Sequence, residues 1–224
     1  MTQGPFYFSE RDRKRAPNVP MPVSTVLLVE GSSDAALFSA LAQKLNKLDV
    51  QIYDMNGKQS GWPGALQLAL AGEAGAAVQS VGLVVDADDD YAVSFSLAQS
   101  YLNATGLNSP ADTSSQALTV VTPANQHVKS SIFVVSPDGL SGNLDHILNA
   151  YFDDVLDKSC LDAYEHCSKT KLSVELSLKS RVQIRLATRP KPIPSPAQGI
   201  RKEVIDVEHN LFASSKVWLD MTIP

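Results

Sequence analysis

Two hydrophobic rhythms alternate along this chain. One is the short, unbroken apolar run. Residues 25–29 read Thr-Val-Leu-Leu-Val, 50–55 Val-Gln-Ile-Tyr-Asp-Met, 81–86 Val-Gly-Leu-Val-Val-Asp and 130–135 Ser-Ser-Ile-Phe-Val-Val. Runs of that length, rich in β-branched residues, predict strands buried on both faces. The other rhythm is an apolar stripe at helical spacing. Phe38, Leu41, Leu45 and Leu48 predict a helix running to about residue 48. Phe95, Leu97, Ala98, Tyr101 and Leu102 predict one over 91–104, and Leu144, Ile147, Leu148, Tyr151, Phe152 and Val155 one over 143–156. Residues 62–71 predict a further helix, with Pro63 tolerated in its first turn. Strand and helix thus alternate four times. That order predicts a mostly parallel α/β sheet with helices on both faces, joined by right-handed crossovers.

The remaining segments frame this unit. Residues 103–116 read as a polar loop and 118–121 as a short edge strand. Helical patterns cover 159–169 and 172–187. The proline-dense stretch 189–196 predicts an extended connector, and 199–206 and 211–219 predict short helices. Residues 1–22 hold Pro5, Pro17, Pro20 and Pro22 with Arg11, Arg13, Lys14 and Arg15, which reads as an extended basic arm. The expected organisation is an arm over 1–22, an α/β core over 23–157 and a helical C-terminal extension over 158–224 packed on the core.

Charge enters where the apolar runs stop. The run at 81–85 passes directly into Asp86-Ala87-Asp88-Asp89-Asp90, four carboxylates in five residues, and the run at 25–29 passes into Glu30. In a parallel sheet these ends lie on one edge, the edge where ligands of open α/β sheets bind. Clustered carboxylates repel one another unless a positive charge neutralises them, and a hard divalent cation prefers oxygen ligands. Glu30, Asp86 and Asp88 therefore form the candidate metal nest for Mg²⁺ or Mn²⁺. Asp90 is either a further ligand or the start of the next helix, and Asp89 points to solvent. A single acid after a strand is usually a helix cap; it is the combination that points to metal. Magnesium keeps several waters and binds phosphate oxygens, so the substrate this nest suits is a phosphoester.

The motifs Val29-Glu30-Gly31-Ser32-Ser33-Asp34 and Val85-Asp86-Ala87-Asp88-Asp89-Asp90 together resemble the Toprim fold of topoisomerases, DnaG-type primases and OLD-family nucleases. They also resemble a stand-alone group of Toprim proteins related to the OLD nucleases. The resemblance extends to the later segment Pro137-Asp138-Gly139 through Gly142-Asn143-Leu144-Asp145 and covers about residues 25–152. The resemblance implies a Rossmann-like sheet, with Glu30 as metal ligand or general acid/base and Asp86 and Asp88 as ligands. It also implies Asp34 as an acid near the site, and Asp138 and Asp145 as supports or ligands of a second metal. Many relatives carry Glu where this chain has Asp145; as a first-turn acid Asp145 also complements a helix dipole. The implied activity is Mg²⁺-dependent phosphodiester hydrolysis or transfer on DNA or RNA. The alternative is a module that binds nucleic acid or nucleotide through a metal without cutting it.

Composition narrows the field further. The 224 residues carry 19 Lys+Arg against 24 Asp+Glu, a net charge of −5, without the basic footprint that phosphate contacts usually leave. Cys160 and Cys167 are the two cysteines; they share one helical pattern, which suits a reducing compartment. With no apolar run long enough to span a bilayer, a cytoplasmic location is expected. Asn56-Gly57-Lys58-Gln59-Ser60-Gly61 lacks the spacing of a phosphate-binding loop. His146 is a candidate proton shuttle and Lys129 and Lys179 are candidate phosphate contacts, while His127, His166 and His209 have no ligand spacing. A phosphoacceptor of receiver type needs a lone Asp after a later strand and a partnering Lys, which the sequence lacks.

Overall fold

Each of the four apolar runs folds as a strand, and the alternation of its side chains divides the core in two. The computed structural model describes residues 6–9, 23–57, 61–71, 75–121, 126–137, 139–155 and 159–224. In chain order the strands are β1 (Phe6–Ser9), β2 (Thr25–Val29), β3 (Val50–Asp54), β4 (Ser80–Asp86), β5 (Ala117–Val121) and β6 (Gln126–Val135). The α-helices are α1 (Ser32–Lys44), α2 (Trp62–Ala69), α3 (Tyr91–Ala104), α4 (Leu144–Val155), α5 (Ser159–Cys167), α6 (Leu178–Ala187), α7 (Pro196–Arg201) and α8 (Ala213–Thr222). The strands form one sheet in the order β1-β3-β2-β4-β6-β5, parallel throughout except for the antiparallel β5–β6 pair.

Leu27, Val29, Ile52, Val84, Phe133 and Val135 face one layer, made by α1, α4 and the C-terminal helices. Val26, Leu28, Val81, Leu83 and Val85 face the other, made by α2 and α3. The C-terminal extension therefore shares a core with the sheet. Trp218 of α8 meets Phe38 edge-on at 5.7 Å and lies 5.4 Å from Phe133. Gly82 admits this approach: a Cβ there would stand 2.5 Å from Leu27 Cδ2 and 2.8 Å from Trp218 Cη2. No helix among the described residues is long and apolar enough to cross a membrane.

Several boundaries differ from the sequence reading for local reasons. The first helix ends at Lys44 rather than near residue 48, because Asn46 takes a left-handed φ of 56° and the Lys47 N–H returns to the Ala42 carbonyl. Leu97 belongs to the apolar stripe by spacing yet is 39% exposed. The expected helix over 172–187 begins only at Leu178, after left-handed Ser173 ends a π-helical turn (Ser168–Leu172) and Ser177 caps α6. The expected helix over 199–206 starts early and stops at Arg201, because Ser195 caps α7 and Pro196 opens it. Within the expected arm, Phe6–Ser9 is an edge strand paired in parallel with β3. The basic run Arg11, Arg13, Lys14 and Arg15 lies outside the described residues.

The strand order fixes where a ligand site belongs. From β2 the chain crosses to β3 on one side, then returns past β2 to β4 on the other. The C-terminal ends of β2 and β4 thus flank the point where the winding reverses, and the crevice there is left uncovered by either crossover.

Candidate functional site

Glu30 follows β2 and Asp86 ends β4, and the two meet across the crevice. The β2–β4 register sets Val29 beside Val84, and the Asp86 N–H donates to Glu30 Oε2 at 3.0 Å. Asp34, in the first turn of α1, accepts the Gly31 N–H on Oδ2 at 3.1 Å. Its other oxygen, Oδ1, is buried and has no hydrogen-bond partner among the described residues. Asp86 Oδ1 receives the Leu144 N–H at 3.4 Å, which ties it to the first residue of α4. Asp88 stands at φ 48°, in the left-handed region that an Asp tolerates better than most residues. Its backbone forms an isolated bridge to Gly142, with Asp88 N–H to Gly142 O at 2.8 Å and Gly142 N–H to Asp88 O at 2.7 Å.

These carboxyls feel one another strongly. Burial, then the charges of Asp34, Glu30 and Asp88, pushes Asp86 up to about 9, against the pull of the Leu144 N–H. Burial, then Glu30, raises Asp34 to about 7, with Asp54 adding a smaller push. Asp54 was not among the residues singled out in the sequence. It ends β3 beside Val29, is 5% exposed, and accepts the Asn56 N–H at 2.9 Å. Its place on the same edge as Glu30 follows from the pairing of β3 with β2. Tyr101 of α3 is a second addition, its phenol raised by burial and by Glu30. Among the described residues, no three His, Cys, Asp or Glu side chains stand together as a ready-made cation cage. Glu30, Asp34, Asp54 and Asp86 share one edge, and each leans on a backbone N–H.

Other candidates sort differently. Asp90 caps α3, its Oδ1 accepting the Ala92 and Val93 N–H groups at 2.8 and 3.1 Å, so the helix-start alternative is the one seen. Asp145 stands in the first turn of α4 and is raised by burial, while Lys179 and His146 pull it down. His146 Nδ1 is engaged with Asn143 Oδ1 at 2.9 Å. Lys129 pairs with Ser80 at the start of β4, at the opposite end of that strand from Asp86, and so does not contact phosphate at this site. His127 lies toward that end too, and His209 bonds Asp154 at 3.0 Å. Asp138 lies outside the described residues. A cleft of about 740 Å³ between α1 and the segment around α7, lined by residues such as Ser39, Lys44, Arg201 and Ile205, includes none of Glu30, Asp34, Asp54, Asp86 or Asp88.

A protein-family profile described as "Protein of unknown function (DUF3226)" matches residues 24–223. The chain belongs to the DUF3226 family. The match runs through β2 to α8, so the DUF3226 unit includes the C-terminal helices as well as the acid edge. No curated protein matches this DUF3226 chain. Three solved structures of the C-terminal region of the Xanthomonas campestris pv. campestris OLD protein, phased with iodine, mercury and platinum, are similar to it at 14%, 14% and 16% identity. They cover 90% of this chain and 96%, 96% and 94% of their own, with TM-scores of 0.41, 0.42 and 0.42. Superposition that loose carries no argument about the DUF3226 site.

Proposed function

We propose that this chain is a Toprim-like phosphodiesterase that uses Mg²⁺ or Mn²⁺ to cleave DNA or RNA. One observation carries the reading. Acids from the ends of β2, β3 and β4 and the start of α1 converge at the winding reversal, and two of them are driven to hold protons near neutral pH. Strongly perturbed carboxyls gathered in a crevice mark a candidate functional site. The donor set fits a hard cation: it is all oxygen, and Asp34 Oδ1 is a buried acceptor with no partner among the described residues.

On this reading Glu30, Asp86 and Asp88 would hold the metal, Asp34 and Asp54 would tune its charge, and Asp90 would remain a cap. A bound divalent ion would polarise the phosphoryl oxygen and lower the proton affinity of water. The protein's own contribution is placement. The Asp86 N–H orients the Glu30 carboxylate, and the Asp88–Gly142 bridge holds the second acid loop against the β6–α4 loop. In the alternative assignment Asp86 and Asp88 would hold the metal and Glu30 would accept a proton during hydrolysis. A second reading, metal-dependent binding without cleavage, draws support from the net charge of −5, which gives phosphate little help elsewhere.

The test uses labelled single- and double-stranded DNA and RNA with Mg²⁺ or Mn²⁺, beside Glu30→Gln and Asp86→Asn. Cleavage that needs the metal and disappears in both variants supports the enzyme. Binding without cleavage supports the module. Cleavage indifferent to chelator and to both substitutions refutes the site.

A further inference from the structure

The loop between β6 and α4 reaches the acids through its backbone. Gly142 exchanges two hydrogen bonds with Asp88, and the Leu144 N–H donates to Asp86 Oδ1 at 3.4 Å. A backbone steadies an acid only as firmly as it is itself held, and here side chains do the holding. Asn143 immediately precedes α4, and His146 lies three residues on. The His146 N–H donates to Asn143 Oδ1 at 3.4 Å and the Asn143 N–H donates to His146 Nδ1 at 3.3 Å, with Nδ1 2.9 Å from Asn143 Oδ1. That reciprocal pair is a capping box with histidine where Glu or Gln is usual. The imidazole also packs on Gly142: a Cβ there would stand 3.3 Å from His146 Cγ and Nδ1. Gly142 holds φ 103° and Asp88 φ 48°, so two residues of positive φ face each other across the bridge. The left-handed conformation is unfavourable for an isolated Asp, so Asp88 keeps it only while its partner stays in place.

We infer that His146 is a positioning residue of the acid site. Clasped to Asn143, it fixes the Gly142 peptide that sets Asp88 and the Leu144 N–H that meets Asp86. The consequence for metal binding rests on the metal-dependent reading; the clasp itself does not. His146 acts through residues 142–144 and carries no proton in the reaction. Metal sites are tuned by such outer partners, and removing one costs about tenfold or more in affinity. Glutamine has both the donor and the acceptor that this place needs, so it serves in whichever tautomer the imidazole adopts. Alanine has neither.

The experiment uses the full chain with His146→Ala and His146→Gln, beside Ser195→Ala, which loses the cap of α7 instead. Amide hydrogen exchange in chelator, read by NMR, follows Asp88 and Gly142 against Val84 within β4. Calorimetry follows Mn²⁺ affinity. His146→Ala is expected to speed exchange at the Asp88 and Gly142 amides about fivefold, the factor that one lost cap is worth. It should leave Val84 unchanged and weaken Mn²⁺ binding about tenfold. His146→Gln should restore both readouts, and Ser195→Ala should alter neither. The inference is overturned if His146→Ala exchanges as wild type does, if Asp88 and Val84 speed up together, or if His146→Ala matches a metal-binding wild type in Mn²⁺ affinity. His146→Gln that restores exchange and Mn²⁺ binding yet abolishes metal-dependent cleavage also overturns it, because the ring would then be a proton carrier. A wild type that binds no Mn²⁺ refutes the metal reading, while exchange quickened selectively at Asp88 still upholds the clasp. Mn²⁺-dependent cleavage with a silent His146→Ala does the reverse.

Discussion

Substituting Asp86 by Asn should make the metal-free protein more stable at mildly alkaline pH. Asp86 holds its proton up to about 9 in the folded chain and Asp34 up to about 7, against an ordinary value of 3.8 for each. The folded state therefore binds protons that the unfolded state has already released. Stability from these groups is complete below the unfolded value and is lost as pH rises, first through about 7 and then through about 9. One retained proton is worth about 1.4 kcal/mol per pH interval. Between about pH 5 and pH 8, Asp86 alone costs about 4 kcal/mol. In a chain of this size that corresponds to a melting temperature lower by about 10 °C. Asn keeps the shape and an oxygen for the Leu144 N–H but has no proton to lose, so its melting curve should fall by several degrees less over the same range. The assay is differential scanning fluorimetry in chelator across that pH range, repeated with Mn²⁺. The cation should restore wild type at the alkaline end and leave Asp86→Asn unmoved. A wild-type melting temperature that is flat or rising with pH in chelator, or a variant that responds to Mn²⁺ as wild type does, would refute the reasoning.

Three further outcomes follow from the same geometry. Glu30→Gln keeps an oxygen for the Asp86 N–H, so folding stability should change by less than about 1 kcal/mol while Mn²⁺ affinity, read by calorimetry, drops at least tenfold. Asp90→Ala should cost about 1 kcal/mol through loss of the α3 cap and leave Mn²⁺ affinity intact; a large fall in affinity would make Asp90 a ligand after all. Gly82→Ala forces a methyl against Leu27 and Trp218 and should cost about 1–3 kcal/mol in urea unfolding. Combining it with Trp218→Leu should recover part of that loss, and strict additivity would disprove the contact.

The parts of this fold legible in the sequence are those decided by local chemistry. Residues 25–29 and 81–86 read as buried strands, and the Phe95–Leu102 stripe placed α3 over 91–104. The meeting of Glu30 with Asp86 was legible because neighbouring parallel strands end on one edge. What remained hidden depended on neighbours distant in sequence. Asp54 reads as an ordinary strand terminus until β3 is known to lie beside β2. Lys179 and Asp145 are brought together by the packing of α6 on α4. Lys129 reads as a surface cation until the pairing of β6 with β4 assigns it to the end far from Asp86. The late start of α6 at Leu178 turns on one left-handed residue, Ser173, whose conformation no apolar periodicity encodes.

The last helix also decides how this protein can be cut. Ser80 Oγ donates to the Thr222 carbonyl at 2.6 Å, Ser131 Oγ meets Thr222 Oγ1 at 2.9 Å, and Lys47 Nζ reaches the Ile223 carbonyl at 2.9 Å. Three strand-borne or strand-flanking residues are thus laced to the final turn, beneath the strand that delivers Asp86. A shortened gene ending after α4 would still encode every acid of the site, yet its product would bare the underside of β4 to water. Expression trials that trim the chain to its sheet should yield insoluble material, and the smallest portable unit carrying the acids must extend through Ile223.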